Sequence, residues 1–178
     1  TDKHIDTTAF GLVCVALVSL PIALMCILGY AESDYGMADE ELGPFLMVCA
    51  VFILIAAIGA YKTKSNFGCT VFGLVAAGVF FAGWASGSIY TNLSLGIIFL
   101  VALLWSYMAQ NTPVLTTILL TTALIFLFGG VAAAEGNGIW LLLKGIAALA
   151  NFALALYLAF TLVKVECEGC GCKDRSEE

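Results

Sequence analysis

The sequence predicts an all-α membrane protein, a bundle of six transmembrane helices. Two observations lead to this fold class. Of 178 residues, 62% are hydrophobic and only 11% are charged, whereas a soluble globular chain carries roughly 25% charged residues. The apolar residues also fall into six runs, each close to the ~20 residues that a helix needs to cross the hydrocarbon core of a bilayer.

The six runs are separated by short polar segments. We predict spans at residues 8–30, 43–61, 67–87, 93–109, 114–134 and 138–163. Segments this apolar are helical, because lipid offers unpaired backbone groups no hydrogen-bond partner. The connections at 62–66, 88–92, 110–113 and 135–137 are short enough to be turns, so the helices that they join are antiparallel. Pro21 predicts a kink in the first helix.

The runs divide the chain into three parts: an N-terminal segment (1–7), the transmembrane domain (8–163) and a cysteine-rich acidic tail (164–178). Orientation follows from the basic residues, which concentrate on the cytoplasmic side. One side of a six-span topology carries Lys3, Lys62, Lys64, Lys164, Lys173 and Arg175. We therefore predict a multi-pass protein of the plasma membrane with both termini cytoplasmic. Membrane lipid is its expected partner, and no basic patch indicates nucleic acid.

The membrane spans are poor in chemically active groups. The six runs contain no Asp, Glu or His, and an embedded catalytic site or proton relay needs such residues. The sequence therefore predicts that the protein is not an enzyme and needs no cofactor.

Some polar residues do fall at membrane depth, four of them threonines of the fifth run. Thr117 and Thr121 are four residues apart and share a helix face, whereas Leu120 takes the corresponding position for Thr116. Helical threonines commonly bond to a carbonyl one turn earlier, so these residues are either structural or line a pore. Asn151 is expected to face protein or water, because an amide facing lipid costs several kcal/mol.

Small residues recur four apart in two runs. In the third run the pairs begin at Gly73, Gly78 and Gly83, and in the sixth Ala147, Asn151, Ala155 and Ala159 form one stripe. Such spacing lets helices approach closely in lipid. The stripes serve either packing within one chain or a subunit interface.

The tail carries three close cysteines, Cys167, Cys170 and Cys172. Three thiolates suit a soft metal, although a closed zinc site needs a fourth ligand, for which only Asp174 is near. The tail is therefore either a metal site or a plain solvated segment.

The motifs resemble those of the acetate uptake transporter family, the succinate–acetate permeases. Gly11 and Leu12 match the family signature at the start of helix one, and Phe67, Gly68, Thr70 and Phe72 match the F-G-x-T-x-F motif that opens helix three. Tyr157 matches a position near the end of helix six, and Lys144 begins a Lys-Gly pair common in the family. The resemblance spans about residues 6–166 and makes the chain a divergent member.

The resemblance implies a fold, an assembly and a function. It implies a cyclic homo-oligomer, most simply a homo-hexamer, that moves a small carboxylate such as acetate. The constricting positions of the family fall on Val15, Val75 and Thr122, and we add Thr121, Asn151 and Lys144 to the expected substrate path. Lys144 either snorkels to the headgroups or attracts anions at the outer mouth. Two other functions stay open: a pore for urea or ammonia, and a non-transporting scaffold or regulatory protein.

Overall fold

The computed structural model describes residues 7–32, 39–84, 88–136 and 138–169, which form six α-helices and no strand. They are α1 (Thr8–Glu32), α2 (Asp39–Lys62), α3 (Asn66–Trp84), α4 (Ile89–Met108), α5 (Pro113–Glu135) and α6 (Gly138–Gly169). Each contains a segment long and apolar enough to cross a membrane. The predicted fold class, a multi-pass bundle of six transmembrane helices, is confirmed.

The fourth helix is where the predicted bounds were wrong. A loop was expected over residues 88–92, but α4 begins at Ile89 and reaches 20 residues. Ser88 has non-helical dihedral angles (φ −56°, ψ 123°), and its carbonyl accepts the Asn92 N–H at 3.0 Å. The polar Thr91 and Asn92 thus belong to the first turn of a helix, where the membrane edge tolerates them. At the other end of the chain, α6 continues to Gly169, past its last apolar residues.

The helices pack as an open ring in chain order. Helix α1 packs mainly on α6 and then on α2, α2 packs on α3, and α5 packs on α4 and α6, while α3 and α4 touch only lightly. The backbones of the described parts of α3 and α5 do not come into contact, so side chains such as Phe126, which packs against Gly78, fill the space between these two helices in front of α1. Half of each of the α1 and α5 spans is buried, compared with 28% of the α4 span. This difference identifies α1 and α5 as the inner helices.

The small residues expected to serve assembly or packing are used largely within the protomer. A Cβ added at Gly78 would lie 3.0 Å from Phe126 Cζ, and one at Gly83 would lie 2.6 Å from the Gly43 carbonyl oxygen. The α6 stripe is buried at Ala147, Asn151, Ala155 and Ala159. For these residues the structure shows packing inside one chain. Gly73, with open space around it, is the exception.

Gly11 gives a direct test of this close packing. A Cβ at Gly11 would lie 2.6 Å from Phe72 Cε1 and 2.9 Å from Ala56 Cβ, and over-packing a core costs roughly 1–3 kcal/mol. We therefore expect Gly11→Ala to lower the temperature of thermal unfolding in detergent. Gly73→Ala is the matched control, because nothing lies within 4 Å of its added Cβ. Equal unfolding temperatures for the two variants would contradict the packing described at Gly11.

Candidate functional site

A polar cluster joins α1, α5 and α6 in the middle of the apolar interior. Asn151 Nδ2 donates to Ser19 Oγ at 3.0 Å, and Asn151 Oδ1 accepts from Thr121 Oγ1 at 2.9 Å. Thr122 Oγ1 lies 3.5 Å from the same Oδ1. All four residues are buried. The amide therefore sits among hydroxyls from two other helices, out of contact with lipid.

The hydroxyls of this cluster are already satisfied by their own helices. Ser19 donates to the Val15 carbonyl at 2.8 Å, and Thr122 donates to the Ile118 carbonyl at 2.8 Å. The single hydroxyl proton of Thr121 is shared between the Ile118 carbonyl and Asn151 Oδ1, which both lie 2.9 Å from Thr121 Oγ1. This is the usual backbone bonding of helical Ser and Thr. The amide nitrogen of Asn151 has two N–H groups and makes one described hydrogen bond. No hydrogen bond of its second N–H is among those that the structure describes.

A cavity of about 180 Å³ opens at the end of the bundle that carries the α2–α3 and α4–α5 turns. We call this end the turn end and this space the turn-end cavity. Its walls come from α1, α3, α5 and both turns. Most of the lining is apolar, and its polar side chains are Thr8, Ser65, Asn111 and Thr122. A cavity of roughly 150 Å³ admits benzene, so this one is large enough for a solute with a few heavy atoms.

A second cavity of about 30 Å³ lies deeper; its lining is mostly apolar and its polar side chains are Ser19, Thr122 and Asn151. On this scale it holds one or two water molecules. Val15, Val75 and Thr122 line both cavities and thus form the wall between them. We call these three residues the constriction.

No protein-family model and no curated protein sequence matches the chain. A solved structure does match it: the structure of the bacterial acetate channel SatP superposes with a TM-score of 0.77 over 94% of this chain and 96% of that chain. The chain has the SatP fold. Sequence identity is 20%, a level at which the likeness shows the fold alone. The resemblance predicted from the motifs is thus confirmed as a shared fold.

On the SatP fold, the matched motif residues divide between cavity wall and outer surface. Leu12, Phe67, Gly68 and Phe72 line the turn-end cavity, with Gly11 packed against Phe72. Two other motif residues lie apart from it. Thr70 is exposed and donates to the Asn66 carbonyl at 2.9 Å, and Tyr157 is 61% exposed.

The six residues expected along the substrate path fall in three places. Val15, Val75 and Thr122 form the constriction, and Thr121 and Asn151 belong to the polar cluster next to it. Their role as a path stays a prediction.

Lys144 lies apart from the other five. It is half-buried and packs against Gly129, where an added Cβ would lie 3.5 Å from Lys144 Nζ. It lines neither cavity. Glu135, a candidate partner, instead accepts a hydrogen bond from Trp140 Nε1 at 2.6 Å. Contact with headgroups and attraction of anions both stay open for Lys144.

Sequence reasoning missed Asn111 entirely and missed the pairing of Ser19 with Asn151. Asn111 was read as part of a turn, the ordinary place for asparagine, but it lines the turn-end cavity. Its one sequence signal is a polar side chain two residues before Pro113, the first residue of an inner helix. The Ser19–Asn151 pair is separated by 132 residues, and no local pattern marks it.

The cysteine tail lies outside what the structure describes. Cys170 and Cys172 are not among the described residues, and of Cys167 only the helical backbone is described. Elsewhere, the described residues contain no cluster of His, Cys, Asp or Glu that could hold a metal ion. Metal binding by these cysteines stays a prediction.

Proposed function

We propose that the protein is a membrane channel or carrier for a small monocarboxylate such as acetate. The observation that carries the proposal is the pair of cavities divided by the constriction, set in the fold of an acetate channel. The solute would pass between α1, α3 and α5, whose side chains line both cavities.

The lining supports selection by size and hydration. Val15 and Val75 offer the solute no hydrogen bond, so a hydrated inorganic ion would lose its water there without compensation. Thr122 and Asn151 line the deeper cavity beside these valines, and their hydroxyl and amide groups can replace part of the water shell of a carboxyl group. Because the neutral acid carries its own proton, its passage needs no relay of ionisable side chains.

A pore for a neutral solute such as urea is the second candidate. The observation that favours it is the absence of charge: all side chains that line the two cavities are neutral. An amide with N–H groups and a carbonyl would serve urea as well as a carboxylic acid.

Labelled uptake into proteoliposomes separates the candidates. With labelled acetate and labelled urea run in parallel against protein-free liposomes, we expect protein-dependent acetate uptake that exceeds urea uptake. Urea uptake alone would favour the neutral-solute pore. Uptake of neither solute would leave the scaffold or regulatory role.

Location, orientation and assembly belong to the same proposal. We place the protein in the plasma membrane with the turn end cytoplasmic, since that end carries Lys62 and Lys64. In a cysteine-free background, a cysteine at Lys64 should react with an impermeant reagent only after cells are opened, and one at Glu135 should react in intact cells. The reverse pattern would show the opposite topology.

A cyclic homo-hexamer is proposed on the resemblance. Native mass spectrometry in mild detergent tests this assembly, and a monomer would contradict it.

Lys144 offers a test of electrostatic attraction. If its ammonium group raises the local anion concentration, Lys144→Met should lower acetate flux at low substrate and low ionic strength while the fold is kept. The methionine keeps an apolar stem of similar length against Gly129. Added salt should reduce the difference, because it screens exposed charges. Equal flux at low ionic strength would leave Lys144 with a structural role only.

A further inference from the structure

The turn-end cavity contains a polar atom with no partner. Asn111 Nδ2 is buried and has no hydrogen-bond partner, and Asn111 lines the cavity. Buried donors in folded proteins are almost always paired, so an exception calls for an explanation. Asn111 borders the cavity, so rotation of its side chain toward the cavity would bring Nδ2 to a solute, which supplies the acceptor that the protein does not.

Asn111 and Ser65 both follow the left-handed residue that ends a helix. Gln110, just before Asn111, has a φ of 53°, and Lys64, just before Ser65, has a φ of 60°. Among the described residues these are the two non-glycine positions with positive φ, and each precedes a polar residue of the cavity wall. The Ser65 N–H bonds to the Ala60 carbonyl and the Asn111 N–H to the Ser106 carbonyl, the usual hydrogen bonds of a helix C-terminus with a left-handed residue. These two caps place Ser65 and Asn111 in the cavity wall.

The chemistry of the wall favours an acceptor with negative charge. The free amide group of Asn111 is a donor of two N–H bonds. Ser65 Oγ accepts the Gly68 N–H at 3.2 Å, which leaves its hydroxyl proton as a further donor. No side chain of the wall is acidic, and the adjoining turn carries Lys62 and Lys64. A carboxylate gains more from such donors than a neutral carbonyl does, because charge-assisted hydrogen bonds are stronger.

We infer that Asn111, supported by Ser65, binds the carboxylate of the permeating solute at the turn end of the path. The inference rests on the proposed function and adds to it a loading site next to the constriction, since Thr122 borders the same cavity. Asn111 Nδ2 donates to one carboxylate oxygen, and the apolar part of the solute faces Leu12, Phe72 and Leu115.

The test measures binding and transport separately. Saturation-transfer NMR with acetate and purified full-length protein in detergent reports binding, and labelled efflux from proteoliposomes reports transport. We expect Asn111→Leu to raise the dissociation constant and the half-saturating acetate concentration at the turn end about tenfold, the effect of one lost hydrogen bond to a charged group. Asn66→Leu is the matched control, because Asn66 is exposed at the same end of the bundle and outside the cavity.

A second variant guards against misfolding and fixes the direction of the hydrogen bond. Asn111→Asp keeps the shape but replaces the donor with a negative charge, so it should weaken acetate binding at least as much as Asn111→Leu and leave urea unaffected. Unchanged acetate binding in either folded variant would overturn the inference, even where the parent protein transports acetate. If the parent binds acetate through Asn111 but does not transport it, the loading site stands and the proposed function fails.

Discussion

Replacing Asn151 by leucine should lower acetate flux at least about tenfold in a protein that still folds. Asn151 is the one amide of the deeper cavity, and only one of its two N–H groups has a described hydrogen bond. Without the Asn151 amide, a carboxyl group that crosses the cavity would form fewer hydrogen bonds in place of those to its water shell. An uncompensated polar group costs on the order of 1–3 kcal/mol by protein measurements, and 1.4 kcal/mol is a factor of ten in rate.

The fold should survive the change because the partners of Asn151 keep other hydrogen bonds. Ser19 still donates to the Val15 carbonyl and Thr121 to the Ile118 carbonyl. Removing both members of a buried hydrogen bond, or the member whose partner stays satisfied, costs little net stability. Leucine also branches at Cγ as asparagine does, although its two methyl groups are larger than the amide atoms that they replace.

The measurement is labelled acetate uptake in proteoliposomes, with the unfolding temperature of each variant measured in the same detergent. Asn66→Leu, the same substitution at an exposed site, should transport like the parent. Flux equal to that of the parent in folded Asn151→Leu would remove the polar cluster from the substrate path.

The helices could be predicted from the sequence because each needs only a local property. An apolar run of about 20 residues in lipid has to close its own hydrogen bonds, so six such runs predict six helices whatever their partners are. The predicted start of α4 was wrong because that prediction also used only the local composition. Thr91 and Asn92 look like loop residues by composition, but the first turn of a membrane helix lies at the polar edge of the bilayer.

The site could be predicted only in part, because it depends on which faces meet. Burial of Asn151 followed from the cost of an amide in lipid, and Val15, Val75 and Thr122 came from the resemblance. That these three divide two cavities, however, depends on how α1, α3 and α5 meet in the folded chain. Asn111 was beyond reach, since only the fold shows that its turn lies at the wall of the turn-end cavity.

Filling the constriction at Val75 should block transport more completely than any other single change. Val75 is 7% exposed and borders both cavities, so a phenyl ring there has to project into one of them. The deeper cavity holds about 30 Å³, less than the added ring atoms need, and a ring turned into the turn-end cavity closes the entrance to the constriction. Either position obstructs the passage, and we expect acetate flux close to that of protein-free liposomes.

Opening the same position should have the opposite effect, which separates obstruction from damage to the fold. Val75→Ala removes two methyl groups from the constriction and should admit a longer carboxylate such as butyrate, with its uptake relative to acetate rising several-fold. Ala77→Phe is the control for a phenylalanine on α3, because Ala77 is exposed on the outside of the helix. Over-packing costs roughly 1–3 kcal/mol, so the unfolding temperature of Val75→Phe is measured beside its flux. Parent-like acetate flux in Val75→Phe, or no gain of butyrate uptake in Val75→Ala, would place the substrate path elsewhere than between Val15, Val75 and Thr122.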